Sequence, residues 1–144
     1  YDKLADFALE FDVDEARRVT YRGLSFFDAS PAGAYSGNHV ASPETLLRLL
    51  SEKAGKDVGK DVETAAKMAE EILAETLAPD YAGPVGIDMM YVLSGGAPVL
   101  HPCVEINLRR TMGRVALDLW QRLEGKTKTE MNVLIDIYLP FKQR

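Results

Sequence analysis

Two segments of the chain alternate between apolar and polar residues, and this alternation restricts the fold more than any other feature. In residues 5–13 the odd positions are apolar, and in residues 99–107 most even positions are apolar. A period of two residues predicts β-strands that place one face on a hydrophobic core and turn the other face toward polar surroundings.

Helix and turn signals divide the remainder of the chain into a few elements. Ser42 followed by Pro43 is a typical helix start, Gly55 a typical helix end, and Asp61 and Pro79 bound a second helix. We predict strands over residues 5–13, 19–27, 83–93, 99–108 and 131–139, helices over 43–54, 62–78 and 111–123, and a loop over 28–38. This order predicts one α+β domain over residues 1–144, with an antiparallel sheet built from two hairpins and packed against helices.

The composition is that of an ordinary globular domain and excludes several classes of protein. Of 144 residues, 47% are hydrophobic and 27% charged, and the net charge of -5 gives no basic surface for nucleic acid. One cysteine excludes an internal disulfide, and no apolar run is long enough to cross a membrane. We expect a cytoplasmic protein that binds neither nucleic acid nor a membrane. Because the chain begins at Tyr1 rather than Met, we expect it to be a piece of a longer polypeptide.

The second predicted hairpin gathers polar side chains on one face. A turn centred between Gly95 and Gly96 places Asp88 opposite Cys103 and diagonal to Glu105. On the strand 99–107 this polar face consists of His101, Cys103, Glu105 and Asn107. The same register places the apolar residues of both strands on the buried face, among them Leu100, Val104 and Ile106.

Three residues of this face carry oxygen atoms that could bind a metal ion. Asp88, Glu105 and Asn107 offer the oxygen ligands that Mg²⁺ prefers. Two carboxylates held close together repel each other unless a cation lies between them. The polar side of an antiparallel strand is also commonly just exposed to solvent, so the pattern alone leaves both interpretations open.

The sequence around these residues resembles a known family. The segments GID at residues 86–88 and EINLR at residues 105–109 are similar to the C-terminal half of ATP-grasp enzymes. The run HPCVEINLRRTMG resembles a bacterial branch of that family, and the specific motif spans residues 83–114. Family members more often carry Glu at the position of Asp88.

The resemblance implies a role for each residue of the motif. Asp88, Glu105 and Asn107 would hold the Mg²⁺ of bound ATP, with Mn²⁺ as a substitute. Arg109 would face the phosphate or acyl-phosphate and act as the catalytic cation. Met90 would lie against the adenine ring.

The resemblance also implies a reaction and its partners. The complete protein would be an ATP-dependent carboxylate ligase that forms an acyl-phosphate, which an amine then displaces. ATP-grasp enzymes enclose the nucleotide between two halves, so this chain would lack its N-terminal half and be inactive alone. The alternative is a non-catalytic α+β interaction or regulatory module with at most a vestigial cation site.

Overall fold

The computed structural model describes residues 2–29, 32, 34–124 and 133–135, which contain six strands and three helices. In chain order the elements are β1 (Asp2–Val13), β2 (Val19–Ala29), β3 (Tyr35–Val40), α1 (Pro43–Ala54), α2 (Gly59–Thr76), β4 (Gly83–Ser94), β5 (Ala97–Asn107), α3 (Met112–Glu124) and β6 (Val133–Ile135). The strands pair antiparallel in the order β5-β4-β1-β2-β3-β6. The predicted antiparallel α+β fold is therefore confirmed. Of the predicted last strand, only β6 lies within the described residues.

One face of the sheet carries the hydrophobic core beneath α1 and α2. The odd-numbered residues of β1 point to this face, and Phe7, Leu9 and Phe11 are fully buried there. Each is paired with a buried residue of β4, and burying one such side chain contributes about 1.5–3 kcal/mol. The two helices contribute the buried residues Leu46, Leu50, Ala54, Val62, Ala66, Ala69 and Leu73.

The third helix lies on the opposite face of the sheet. α3 packs over β2 and β3, with Gly113 and Ala116 buried against the sheet and Leu117 beside Gly23. The sheet therefore separates two helix layers. The polar face of β4 and β5 lies on the same side of the sheet as α3.

The prediction of a loop over residues 28–38 is wrong at both ends. Strand β2 continues to Ala29, and β3 begins at Tyr35 and pairs with β2, with Asn38 opposite Phe27. The small and polar residues of this segment carry no strand pattern. Pairing with β2 on one side and β6 on the other buries Asn38, so the strand depends on neighbours that the local sequence does not reveal.

The first hairpin has the irregularity that its side-chain pattern requires. For Phe11 and Tyr21 to share one face, the loop must have an odd length or a strand must contain a bulge. The loop has an odd length: five residues separate the strands, so Phe11 pairs directly with Tyr21, and the register shifts only beyond this pair, between Glu10 and Phe11. The Phe11 and Tyr21 rings lie 5.4 Å apart on the core face.

Both predicted boundaries of α1 are confirmed, and the predicted start of α2 is wrong. The Ser42 hydroxyl accepts the Thr45 N–H at 3.1 Å, and Gly55 ends α1 in a left-handed conformation with φ 73°. The predicted cap Asp61 instead lies inside the first turn of α2, where its carboxylate accepts the Tyr91 hydroxyl at 2.7 Å. The helix begins at Gly59 after the N-cap Val58, whose carbonyl oxygen accepts the Val62 N–H at 3.0 Å, and the Asp57 carboxylate accepts the Gly59 N–H.

We expect Gly113→Ala to lower the free energy of unfolding by about 1–3 kcal/mol. A methyl group at this position would overlap the Ser25 hydroxyl and the Glu10 carboxylate beneath α3. Gly59→Ala is the matched control, because it lies in the first turn of α2 and a methyl group there meets only the exposed Asp57 closely. Urea unfolding of both variants checks the expectation, and equal stabilities would contradict the close approach of α3.

Candidate functional site

The turn of the second hairpin forms as the sequence predicts. Gly95 and Gly96 have φ values of 61° and 79°, a left-handed pair that glycine adopts without strain. Ser94 pairs with Ala97, and the predicted register continues as far as Met90 opposite His101.

Nearer the candidate site the predicted register is wrong. Between the pair Met90 and His101 and the pair Asp88 and Glu105, one residue of β4 faces three residues of β5. This bulge includes Pro102, which has no N–H to donate to the ladder. Asp88 therefore lies directly opposite Glu105 rather than diagonal to it.

The prediction that the apolar residues of β5 are buried is also wrong in part. Val104 and Ile106 are about half exposed, at 53% and 49%, although Ile106 pairs with the buried Ile87. Among the described residues β5 is the outermost strand of the sheet, so these side chains have a neighbouring strand on one side only. Leu100 does pack against the core.

The three predicted ligands lie beside one another. Asp88 and Glu105 face each other across the β4–β5 pair, where Cβ atoms are typically about 4.5–5.5 Å apart. Asn107 lies opposite Gly86, one step further along, and its Nδ2 donates to Asp88 Oδ2 at 3.3 Å. Asn107 is buried, whereas Glu105 is exposed.

Arg109 is connected to this group although the strand ends before it. Strand β5 ends at Asn107 rather than at the predicted residue 108. Arg109 Nη2 nevertheless donates to Asn107 Oδ1 at 3.4 Å, and its positive charge is close enough to lower the pKa of Asp88. The exposed guanidinium can also reach a ligand above this face.

The environment of Asp88 is unfavourable to its negative charge. Partial burial raises the pKa of Asp88 above 3.8, and the facing Glu105 carboxylate raises it further. The hydrogen bond from Asn107 and the charge of Arg109 oppose this rise only partly. A cation between the two carboxylates would remove their repulsion.

Two acidic residues of β1 border the site and were not among the predicted ligands. Asp6 pairs with Met90, and Lys3 lies 2.7 Å from its carboxylate. Glu10 pairs with Gly86. Both could have been found from the sequence, because they share the polar face of the alternating segment 5–13.

Glu10 is buried rather than exposed to solvent. Only 2% of it is exposed, and its Oε1 accepts the Thr111 hydroxyl at 2.8 Å and the Ser25 hydroxyl at 3.2 Å. Burial raises the pKa of Glu10 above 4.5, whereas the two hydroxyl donors oppose the rise. Gly86 provides the necessary space, because a Cβ there would lie 2.9 Å from Glu10 Oε2.

Met90 lies on the same face, between Asp6 of β1 and His101 of β5. It is partly buried, and it is an apolar side chain among polar neighbours. The arrangement as a whole combines paired carboxylates, one amide and one guanidinium with an apolar surface beside them.

Similarity to known proteins is found among solved structures. No family model matches the chain, and no curated protein matches it significantly. Among solved structures, the chain is similar to a protein from Archaeoglobus fulgidus whose assignment to the ATP-grasp superfamily is provisional, with a TM-score of 0.45 and 17% identity. The similarity covers 85% of this chain and 36% of that chain, so the chain spans about a third of that protein.

Within the described residues, no helix has the length and apolar character needed to span a membrane.

We expect Asp88→Asn to raise the free energy of unfolding at pH 7 when divalent ions are removed by a chelator. The folded-state pKa of Asp88 lies above 3.8, so its contribution to stability is largest at low pH and is lost as the pH rises through that pKa. Asn removes this loss and can still pair with Asn107. Urea unfolding at pH 7 and at a pH below 3.8 measures the difference between the variant and the wild type, which should be larger at pH 7. An equal or smaller difference at pH 7 would contradict an unfavourable environment for the Asp88 charge.

Proposed function

We propose that this chain is the Mg²⁺–ATP-binding part of an ATP-dependent carboxylate ligase of the ATP-grasp type. The observation that carries the proposal is the contact series Asp88–Asn107–Arg109 with Glu105 opposite Asp88. Each member comes from the motif that resembles ATP-grasp enzymes. The arrangement combines ligands for a hard cation with a guanidinium suited to phosphate.

The donor set fits a magnesium ion. Asp88 and Glu105 would supply carboxylate oxygens. Burial and, second to it, the facing Glu105 carboxylate raise the pKa of Asp88, and a divalent cation would relieve the part that comes from Glu105. Asn107 donates Nδ2 to Asp88 and accepts Arg109 with Oδ1. To offer Oδ1 to an ion beside Asp88, its amide would turn, and coordination of the ion and binding of phosphate by Arg109 would replace these two hydrogen bonds. When bound, Mg²⁺ (or Mn²⁺ in its place) neutralises phosphate charge.

Arg109 would bind the phosphate that is transferred. Its guanidinium already lies at the metal-ligand group through Asn107, and it is exposed. Planar guanidinium groups bind phosphate oxygens through two parallel hydrogen bonds. In this position the positive charge of Arg109 would favour transfer of the γ-phosphoryl group, because negative charge spreads over the oxygens of that group in the transition state.

The proposed reaction has two steps. An oxygen of a small carboxylate attacks the γ-phosphorus of ATP, and ADP leaves, which forms an acyl-phosphate. An amine then attacks the acyl carbon, and inorganic phosphate leaves. Met90 would contact the adenine ring, and the exposure of Glu105 and Arg109 fits a site that a second, N-terminal half encloses.

The alternative is a non-catalytic module, and one observation favours it. Among the described residues, no group of three or more His, Cys, Asp or Glu side chains is arranged to hold a metal ion. The proposed site therefore depends on Asn107 as a ligand. Two substitutions in the full-length protein distinguish the two interpretations.

We expect Glu105→Ala to lower ATP turnover about 10²–10³-fold while the protein remains folded. Glu105 is exposed, so its loss removes a proposed ligand without leaving a cavity. Glu71→Ala, an exposed substitution on α2, is the control and should leave turnover unchanged. The measurement is ATP hydrolysis with pools of carboxylates and amines, beside a thermal unfolding curve; unchanged turnover would favour the non-catalytic module.

We expect Arg109→Lys to lower kcat about tenfold with little change in the affinity for Mg²⁺–ATP. Lys keeps the charge but loses the planar pair of donors that binds two phosphate oxygens. Steady-state kinetics together with nucleotide titration separates the two effects. Equal losses of kcat and affinity would contradict a role in the transfer step.

A further inference from the structure

The start of α3 is fastened to β1 by two pairs of side chains. Thr111 donates its hydroxyl hydrogen to the buried carboxylate of Glu10 at 2.8 Å. One turn later, Arg114 forms two hydrogen bonds with Asp12, at 2.7 and 2.9 Å. Glu10 and Asp12 point to the same face because they are two residues apart on one strand.

Thr111 also caps the helix that it fastens. Its Oγ1 accepts the Arg114 N–H at 3.1 Å, and its carbonyl oxygen accepts the Val115 N–H at 3.1 Å. A hydroxyl can donate one hydrogen bond while it accepts another. The position of the first turn of α3 is therefore tied to Glu10.

The connection between β5 and α3 is short and carries Arg109. Only residues 108–111 join Asn107, the last residue of β5, to α3. At one end of this connection, Asn107 forms hydrogen bonds with Asp88 and Arg109. At the other end, the Thr111 hydroxyl donates a hydrogen bond to the Glu10 carboxylate.

Two glycines leave the space that this arrangement needs. A Cβ at Gly86 would lie 2.9 Å from Glu10 Oε2 and 2.7 Å from the Thr111 methyl group. A Cβ at Gly113 would overlap the Glu10 carboxylate and the Ser25 hydroxyl. The carboxylate is thus enclosed on the β4 side and on the α3 side, with little freedom to move.

We propose that Glu10, acting through Thr111, is a positioning residue that fixes residues 108–111 so that Arg109 faces the phosphate group. This inference rests on the proposed function for the role of Arg109, but the fixing of the connection is a property of this chain alone. Glu10 acts as a hydrogen-bond acceptor, not as a ligand of the cation.

Five substitutions separate this role from others. Thr111→Val removes the hydroxyl, and with it both the hydrogen bond to Glu10 and the cap on the Arg114 N–H, whereas Thr111→Ser keeps both. Glu10→Leu removes the acceptor and keeps the cap, so it should speed cleavage within residues 108–111 as Thr111→Val does; unchanged cleavage in Glu10→Leu would assign the effect to the cap and overturn the inference. Glu10→Gln keeps an acceptor oxygen and removes the charge. Ser25→Ala is the matched control, because it removes the other hydrogen bond to the same carboxylate without touching Thr111.

The first measurement is limited trypsin digestion of the folded full-length protein, which can cut after Arg109 and Arg110. We expect Thr111→Val to speed cleavage within residues 108–111 about fivefold or more relative to cleavage at the exposed Lys67 of α2, because proteolysis follows local opening. Thr111→Ser, Glu10→Gln and Ser25→Ala should stay within about twofold of the wild type. Unchanged cleavage in Thr111→Val would overturn the inference, whatever the activity of the protein.

The second measurement is a double-mutant cycle on kcat. Arg109→Lys should lower kcat about tenfold in the wild type and in Ser25→Ala, but less than about threefold in Thr111→Val. In Thr111→Val a displaced Arg109 already contributes little to kcat, so replacing it changes little. A tenfold loss of kcat from Arg109→Lys in the Thr111→Val background would show that the two residues act independently and would overturn the inference. A loss of Mg²⁺ affinity in Glu10→Gln would also overturn it, because Glu10 would then be a ligand. If Arg109→Lys has no effect even in the wild type, the proposed function fails, and the trypsin result still decides whether Glu10 fixes the connection.

Discussion

The structure depends on β1, whose side chains alternate between two different environments. The strand pairs with β2 along one edge and with β4 along the other. These two registers fix which of its side chains point to each face of the sheet. Its apolar side chains form the centre of the core under α1 and α2. Its acidic side chains, on the opposite face, border the candidate site and hold α3. Stability and the proposed function thus use the two faces of one strand.

The bulge in β5 determines which groups meet at the site. With the regular register, Asp88 would face Cys103; with the bulge, it faces Glu105. Burial raises the pKa of Asp88, the facing Glu105 carboxylate adds to this rise, and Asn107 and Arg109 oppose it only partly. A local irregularity next to a proline therefore creates the charge arrangement that a cation would stabilise.

Burial of Glu10 connects the site to the third helix. A carboxylate in this position is costly unless its oxygen atoms accept hydrogen bonds, and Thr111 and Ser25 supply two of them. Because Thr111 is also the first residue before α3, the same interaction that satisfies the carboxylate fixes the helix and the short connection that carries Arg109.

The sequence by itself determined the alternating strands, the glycine turn, the helix cap at Ser42 and the face shared by Asp88, Glu105 and Asn107, because each depends on residues near one another in the chain. It did not determine β3, which lacks a strand pattern and is held by its neighbours, or the start of α2, where Asp57 acts before Asp61. The tertiary structure alone decided that Asp88 faces Glu105, that Ile106 is exposed at a sheet edge and that Glu10 is buried. Strand register, the position of a strand at the sheet edge and the burial of a side chain depend on contacts between distant segments. A local sequence pattern does not contain these contacts.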